Sequence, residues 1–308
     1  MATLESDNVD RALRDNQPPE HVKLIAIDID GTLLDPDGEI TQRTRAAIQA
    51  AQEAGIVVTL ATARRYCNTA KFAAELGLEG AVIVYDGALI VTYPQNTIVA
   101  TRTLQADIAQ QVADLLARHR VQPVVHPYLG LVEEVWTGPP DLDNYWLDAY
   151  FLAFSDQTHR MPIASLCVGY PDPLRVVAFD SEEKIESLVP EVAALLVNWT
   201  MIKRGNYGSD ELAVMHPECS KASGVAIVAE TLGITMPEVM ALGDNNNDLA
   251  MLRLAGWGVA MGQASAPIKA AADAVTASNM EDGAAQAIER YALRRGLSAS
   301  SNSRKRAI

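Results

Sequence analysis

The chain is 308 residues long, 49% of them apolar and 21% charged, and its formal net charge is −14. This length and balance predict a globular protein of two domains, and the negative charge argues against a nucleic-acid or anionic-membrane partner, because both need a basic patch. Three widely separated cysteines without a Cys/His cluster, and the lack of a signal-type or membrane-length apolar run, predict a cytoplasmic protein without disulfides or a zinc site.

Short apolar runs alternate with helical segments in the first part of the chain. Residues 1–20 are polar, which predicts a disordered leader. Buried strands are then predicted at 22–27, 56–61 and 81–85, each separated from the next by a helix. Strands and helices that alternate at this spacing are typical of βαβ units. The pattern therefore predicts an α/β fold with a doubly wound parallel sheet.

The rhythm changes near residue 88, where a hairpin, an amphipathic helix and several short strands replace the βαβ pattern, and it returns at Lys221. This middle section predicts an α+β domain, called the cap here, that is inserted into the α/β core. The predicted organisation is a leader at 1–20, a core at 21–87 and 209–295, a cap at 88–208 and a flexible tail at 296–308.

Two acidic residues follow the first predicted strand. Asp28 and Asp30 are two positions apart, so on an extended chain both side chains point to the same side, and Gly31 lets the chain turn sharply after them. Two like charges at the edge of an apolar sheet need an offset, and carboxylate oxygens favour Mg²⁺ or Ca²⁺. Taken alone, the same stretch is also a common polar turn.

Other reactive side chains follow the remaining strand ends. Thr62 ends the second strand, Asp244 begins a polar loop after a late strand, and Lys221 opens the helix before that strand. The carboxyl ends of parallel strands meet at one edge, so these groups are expected to converge there. A carboxylate pair, a hydroxyl and an ammonium suit metal-assisted reaction at a phosphate, with Asp28 as the nucleophile and Asp30 as the general acid and base.

Four segments resemble, in order, the motifs of the haloacid dehalogenase superfamily, and within it the Cof-type phosphatases with a large α/β (C2-type) cap. The segments are Asp28-Ile29-Asp30-Gly31-Thr32, Thr62-Ala63-Arg64, Ser220-Lys221 and Gly243-Asp244-Asn245-Asn246-Asn247-Asp248. The resemblance covers residues 22–294 and is weak through the cap. Three positions differ from the residues that are usual in the superfamily. Ala63 stands in place of a glycine, and Asp86 and Gln263 each stand in place of an asparagine.

The resemblance implies a role for each matched residue. Asp28, Asp30 and Asp244 would bind Mg²⁺, with Asp30 using its backbone carbonyl. Asp28, Asp30 and Lys221 would be catalytic. Asp248 would support the loop of the fourth motif. The substrate-binding residues would be Thr62, Ala63, Arg64, Asn247 and also Lys221.

The sequence thus predicts a Mg²⁺-dependent phosphatase that hydrolyses a small phosphomonoester, such as a sugar phosphate or a related metabolite, through an aspartyl-phosphate. A phosphomutase or phosphotransferase, and a non-catalytic protein that binds phosphorylated ligands, remain alternatives. His126, Tyr128, Glu133 and the aromatic residues of 145–150 are candidates for the cap pocket, although core packing is the more frequent role of such residues. The sequence leaves a monomer and a homodimer equally open.

Overall fold

The computed structural model describes residues 18–202 and 209–294; the predicted leader up to residue 17 and the predicted tail at 296–308 lie outside them. The strands are β1 (Leu24–Ile27), β2 (Val57–Leu60), β3 (Gly80–Val84), β4 (Leu89–Tyr93), β5 (Ile98–Thr101), β6 (Val124–His126), β7 (Val135–Thr137), β8 (Thr158–Arg160), β9 (Arg175–Asp180), β10 (Asn198–Ile202), β11 (Asp210–Met215), β12 (Val239–Gly243), β13 (Trp257–Ala260) and β14 (Ala274–Val275). The α-helices are α1 (Gln42–Glu53), α2 (Tyr66–Glu75), α3 (Ala106–Arg118), α4 (Tyr145–Ala153), α5 (Glu182–Val192), α6 (Lys221–Thr231), α7 (Leu249–Leu254), α8 (Ala266–Ala271) and α9 (Gly283–Ala287). None of these helices is long and apolar enough to cross a membrane.

The core is a parallel sheet in the order β14-β13-β12-β1-β2, with helices on both faces. Successive residues of β1 enter different hydrophobic clusters: Ile25 and Ile27 pack with α1 and α9, whereas Leu24 and Ala26 pack with α6, α7 and α8. Burial on both faces explains why this strand is a continuous apolar run rather than an alternating one. The predicted α/β fold with a doubly wound parallel sheet is confirmed.

The third predicted strand differs from the prediction in its pairing. β3 pairs antiparallel with β4, and β4 pairs antiparallel with β5, so the three form a separate small sheet. It adjoins the parallel sheet through a parallel bridge between Ala61 and Ile83, and the Thr59 hydroxyl also donates to the carbonyl of Ala81 at 2.7 Å. The sequence shows that this apolar run is a buried strand, but it does not show which strand pairs with it. The third strand of a βαβ series and the first strand of an antiparallel meander have the same apolar pattern.

A second sheet has the order β10-β11-β9-β6-β7-β8 and is mostly antiparallel. One face is covered by α3 and α5, and residues of the opposite face, Val177 and Ala213 among them, belong to the same hydrophobic cluster as the core residue Ile27. Because β11 belongs to this sheet although the predicted cap ends at 208, we propose that the cap extends to the end of β11.

Candidate active site

Two carboxylates meet at the carboxyl edge of the parallel sheet. Asp28 directly follows β1 and Asp244 directly follows β12, and these two strands are hydrogen-bonded neighbours. The backbone amide of Asp28 continues the ladder by donating to the carbonyl of Leu242 at 3.1 Å. One carboxylate oxygen each from Asp28, Asp244 and Asp248 lie within 4.8 Å of one another. The two strand ends therefore bring together acids that are more than two hundred residues apart in sequence.

Gly31 makes this approach possible. Its φ is +81°, a backbone conformation that side-chain-bearing residues rarely adopt, and a Cβ at this position would overlap the carboxylate of Asp244. The Gln263 side chain donates to the Gly31 carbonyl at 2.5 Å and lies 3.4 Å from Asp244. Glycine is therefore needed at position 31, because any larger residue would overlap Asp244.

Lys221 lies behind the carboxylates and bridges two of them. Its ammonium donates to Asp28 at 2.6 Å and to Asp248 at 2.7 Å, and only 1% of the side chain is exposed. Ser220 forms a capping box with Ser223 and starts α6, which fixes the lysine at the first position of the helix. Burial opposes the charged form of Lys221, but Asp248 and Asp28 outweigh this effect and raise its pKa.

Asp248 is fully engaged within the protein. One of its oxygens accepts from Lys221, and the other accepts the backbone amides of Asp244 and Asn245, each at 3.0 Å. Among the described residues, the Asp244 side chain has hydrogen-bond contacts with Thr32 and Gln263, both long at 3.4 Å. This arrangement favours Asp248 as a support for the loop and leaves Asp28 and Asp244 as the carboxylates that are less strongly engaged by protein donors.

The site carries more negative charge than Lys221 offsets. Burial, followed by the charge of Asp248, raises the pKa of Asp28 well above its usual range and raises the pKa of Asp244 to about 7. Hard oxygen donors in a negatively charged site fit a divalent cation of the Mg²⁺ or Ca²⁺ class. The predicted ligand Asp30 lies outside this carboxylate cluster; its contribution through the backbone carbonyl stays a prediction.

The carboxylate of Asp30 faces the second motif instead. Arg64 donates to it through two nitrogens, at 2.8 and 2.5 Å, in a bidentate pair. Thr62 is buried, and its hydroxyl accepts the backbone amide of Arg64 at 3.1 Å, which shapes the loop after β2. The predicted role of Arg64 in substrate binding stays a prediction; in the structure its guanidinium pairs with Asp30, and both residues line the cavity.

A polar chain that the sequence analysis missed runs from the fourth motif into the cap. Asn247 donates to Asp86 at 2.9 Å, and Arg175 of β9 donates to the other oxygen of Asp86 at 3.2 Å. Arg175 also donates to His126 at 3.1 Å, and the other ring nitrogen of His126 lies 2.7 Å from the hydroxyl of Tyr150. The sequence singles out Asp86, where an asparagine is common, and His126, as a candidate for the cap pocket, but it gives no signal for Arg175, which connects the two.

Glu133 makes a second contact between the cap and the core. Its carboxylate accepts the backbone amides of Tyr66 and Cys67, at 2.7 and 2.9 Å, and the hydroxyl of Tyr85 at 2.6 Å. The side chain therefore caps the start of α2, which directly follows the loop with Thr62. Glu133, a candidate for the cap pocket, is a capping residue in this arrangement.

A cavity of about 420 Å³ lies between the carboxylates and the cap. All predicted site residues except the buried Lys221 and Asp248 line it. The cap contributes Tyr150, Phe154 and residues of β9, β10 and β11 to the wall. The cavity is thus lined by both parts of the chain, with the reactive groups on its core side.

A family of proteins described as haloacid dehalogenase-like hydrolases matches residues 25–288. The chain belongs to this family. It is 33% identical to the 5-amino-6-(5-phospho-D-ribitylamino)uracil phosphatase YcsE of Bacillus subtilis, over 88% of this chain and 96% of that protein. It is 31% identical to the putative phosphatase YxeH of the same organism, over 88% of this chain and 98% of the relative.

The fold agrees with solved structures of the family. A haloacid dehalogenase-like hydrolase from Bacteroides thetaiotaomicron superposes with a TM-score of 0.69 at 28% identity, covering 87% of this chain and 99% of that one. The predicted superfamily, and with it the class of phosphoric monoester hydrolases, is confirmed. The roles of the individual site residues stay predictions that the geometry makes specific.

Proposed function

We propose that this protein is a Mg²⁺-dependent phosphatase that hydrolyses a small phosphomonoester through an aspartyl-phosphate on Asp28. The observation that carries the proposal is the convergence of Asp28, Asp244 and Lys221 on the core side of a cavity that the core and the cap line together. A carboxylate that is fixed by a buried ammonium and faces a cavity is suited to attack a phosphorus atom bound there.

The residues divide the chemistry between them. Lys221 holds one oxygen of Asp28, so the other oxygen is the one that attacks phosphorus while the bond to the leaving oxygen breaks. Asp30 gives a proton to the leaving oxygen and later takes one from the water that releases phosphate. Asp28, Asp244 and the backbone carbonyl of Asp30 would hold Mg²⁺, which would supply positive charge that offsets the charge of the phosphoryl group.

The phosphoryl group is held by residues on the core side of the cavity. The Thr62 hydroxyl lines the cavity and is the donor placed to stabilise the phosphoryl oxygens during transfer. Lys221 lies behind the cavity wall and contributes positive charge through the oxygens of Asp28 and Asp248 that it holds. Arg64 keeps the carboxylate of Asp30 at the cavity through its bidentate contact. The cap forms the facing wall, which favours a small metabolite over a phosphoprotein and restricts the space for water beside the reacting groups.

The relatives support a small metabolite as the substrate. The name of YcsE states that it acts on a phosphorylated ribitylamino-uracil, a molecule of a size that suits a cavity of about 420 Å³. The proposal is therefore restricted to phosphomonoesters of about this size, with sugar phosphates and related metabolites as the first candidates.

The test is release of inorganic phosphate from a panel of small phosphomonoesters, with and without Mg²⁺, by the parent protein and by Asp28→Asn. We expect release that requires Mg²⁺ and is lost in Asp28→Asn, while the control Asp37→Asn, in an exposed loop, keeps the parent rate. An isomerised product in place of phosphate would instead indicate a phosphomutase. Binding without any turnover would indicate a non-catalytic protein, and an active Asp28→Asn variant would show that the nucleophile is misassigned.

A further inference from the structure

The wall of the cavity that the cap forms carries a carboxylate of its own. Glu211 lies on β11, directly opposite Phe179 of β9 on one side and Ile202 of β10 on the other. These three residues line the cavity from the cap sheet. The glutamate is therefore the polar group in an apolar row that faces the substrate space.

The charge of Glu211 is only partly offset. Arg175 lies 3.7 Å from the Oε1 atom of Glu211, but the same nitrogen is closer to Asp86, at 3.2 Å. Oε1 is buried and has no hydrogen-bond partner among the described residues. His126, which accepts from Arg175, adds no positive charge, because burial and then Arg175 lower its pKa well below the usual value. One guanidinium thus serves two carboxylates.

The side chain remains open to a ligand. Glu211 keeps 14% of its side chain exposed, and the described space next to it is the cavity. Burial, offset in part by Arg175, raises the pKa of Glu211 to about 7, with Asp86 and Asp30 adding to the rise. A carboxyl group that is costly to leave unpaired gains most from a ligand that donates hydrogen bonds to it.

We propose that Glu211 is a specificity-determining residue. It selects phosphomonoesters whose end remote from the phosphate is uncharged and bears hydroxyl or amino donors. It rejects substrates that carry a second anionic group at that end. The inference rests on the proposed phosphatase function, because it takes the phosphate to be bound at Asp28. Glu211 accepts hydrogen bonds from a hydroxyl-bearing end, whereas a carboxylate at the same place would face a like charge in a poorly solvated site.

The experiment compares two six-carbon compounds that differ at one end, glucitol 6-phosphate with a terminal hydroxymethyl group and 6-phosphogluconate with a carboxylate. We expect the parent protein to favour glucitol 6-phosphate in kcat/KM by on the order of a hundredfold, since like-charge juxtaposition is strongly unfavourable. In Glu211→Gln, the ratio should fall by on the order of tenfold or more, mainly because KM for 6-phosphogluconate decreases. An increase in activity toward the acid is a readout that loss of folding cannot produce.

The matched control is Glu134→Gln, which removes the same charge from the cap at a residue that contacts Trp136 and His159 rather than the cavity. It should leave the ratio of the two substrates unchanged. A ratio unaffected by Glu211→Gln, or affected equally by both substitutions, overturns the inference.

Binding separates this inference from the proposed chemistry. Calorimetry in the Asp28→Asn background, with and without Glu211→Gln, gives the ratio of the two dissociation constants when no turnover occurs. If the parent hydrolyses neither compound but the binding ratio still depends on Glu211, the proposed function fails for these compounds and the inference stands. If neither compound binds, or both bind equally well with Glu211 present, the inference is wrong.

Discussion

Replacement of Lys221 by methionine tests whether the buried ammonium is the charge that holds the candidate site together. In the parent, this lysine donates to both Asp28 and Asp248 and is 1% exposed. Methionine has a similar length but leaves the carboxylate cluster without its internal counter-charge. We therefore expect a loss of stability as well as a loss of activity.

The expected size of the effect follows from burial. Removal of one partner from a buried ion pair typically costs about 3–5 kcal/mol, because an uncompensated charge stays behind. Lys23 offers a matched control: its ammonium lies 2.6 Å from Glu238, but its side chain is 55% exposed. For such a surface pair, Lys23→Met should cost less than about 1 kcal/mol.

Denaturant unfolding of the parent and both variants, with and without Mg²⁺, measures the free energies of unfolding. We expect Lys221→Met to be the less stable variant by several kcal/mol, and Mg²⁺ to restore part of the loss because a bound cation offsets the same carboxylates. Equal stability of Lys221→Met and Lys23→Met, or no effect of Mg²⁺ on the former, would refute this reasoning.

Three further predictions follow from single contacts. Gly31→Ala should lower the affinity for Mg²⁺ by about ten- to a hundredfold, since its Cβ displaces the carboxylate of Asp244; calorimetric titration with Mg²⁺ checks this, and unchanged affinity would contradict it. Glu133→Gln should cost about 1 kcal/mol in unfolding free energy by weakening the cap at the start of α2, whereas Glu134→Gln should cost less than half of that, so equal losses would speak against the capping role. Burial raises the pKa of Glu211 to about 7 from about 4 in the unfolded chain, so the folded state binds more protons and stability falls as pH rises across this interval. Unfolding curves should therefore show Glu211→Gln gaining stability relative to the parent between about pH 4 and 7 and gaining no more above it; a constant difference would argue against a raised pKa.

The core site could be predicted from sequence because its parts are local. Each motif lies where a strand ends or a helix begins, and the position of Asp28 after β1 or Lys221 at the start of α6 follows from a short apolar run or a capping serine. Convergence then follows from the parallel sheet, since all its strands end at one edge.

The cap contacts could not be predicted, because they depend on how two parts of the chain pack. Asp86 meets Arg175 and Asn247 only after the cap sheet has formed and closed over the core. Likewise, whether Glu133 lines the cavity or caps α2 depends on the path of an irregular loop that carries no periodic signal. The pairing of β3 with β4 was missed for a related reason: an apolar run specifies burial but not its neighbour.

The most direct test of the account is detection of a phosphate group on Asp28 during turnover. The protein is mixed with Mg²⁺ and a hydrolysed phosphomonoester, quenched in acid within milliseconds, and its peptides are analysed by mass spectrometry. We expect a transient phosphate on the peptide with Asp28 that is absent from Asp28→Asn. Release of phosphate at the full rate by Asp28→Asn, or a phosphate carried by a different residue, would contradict it.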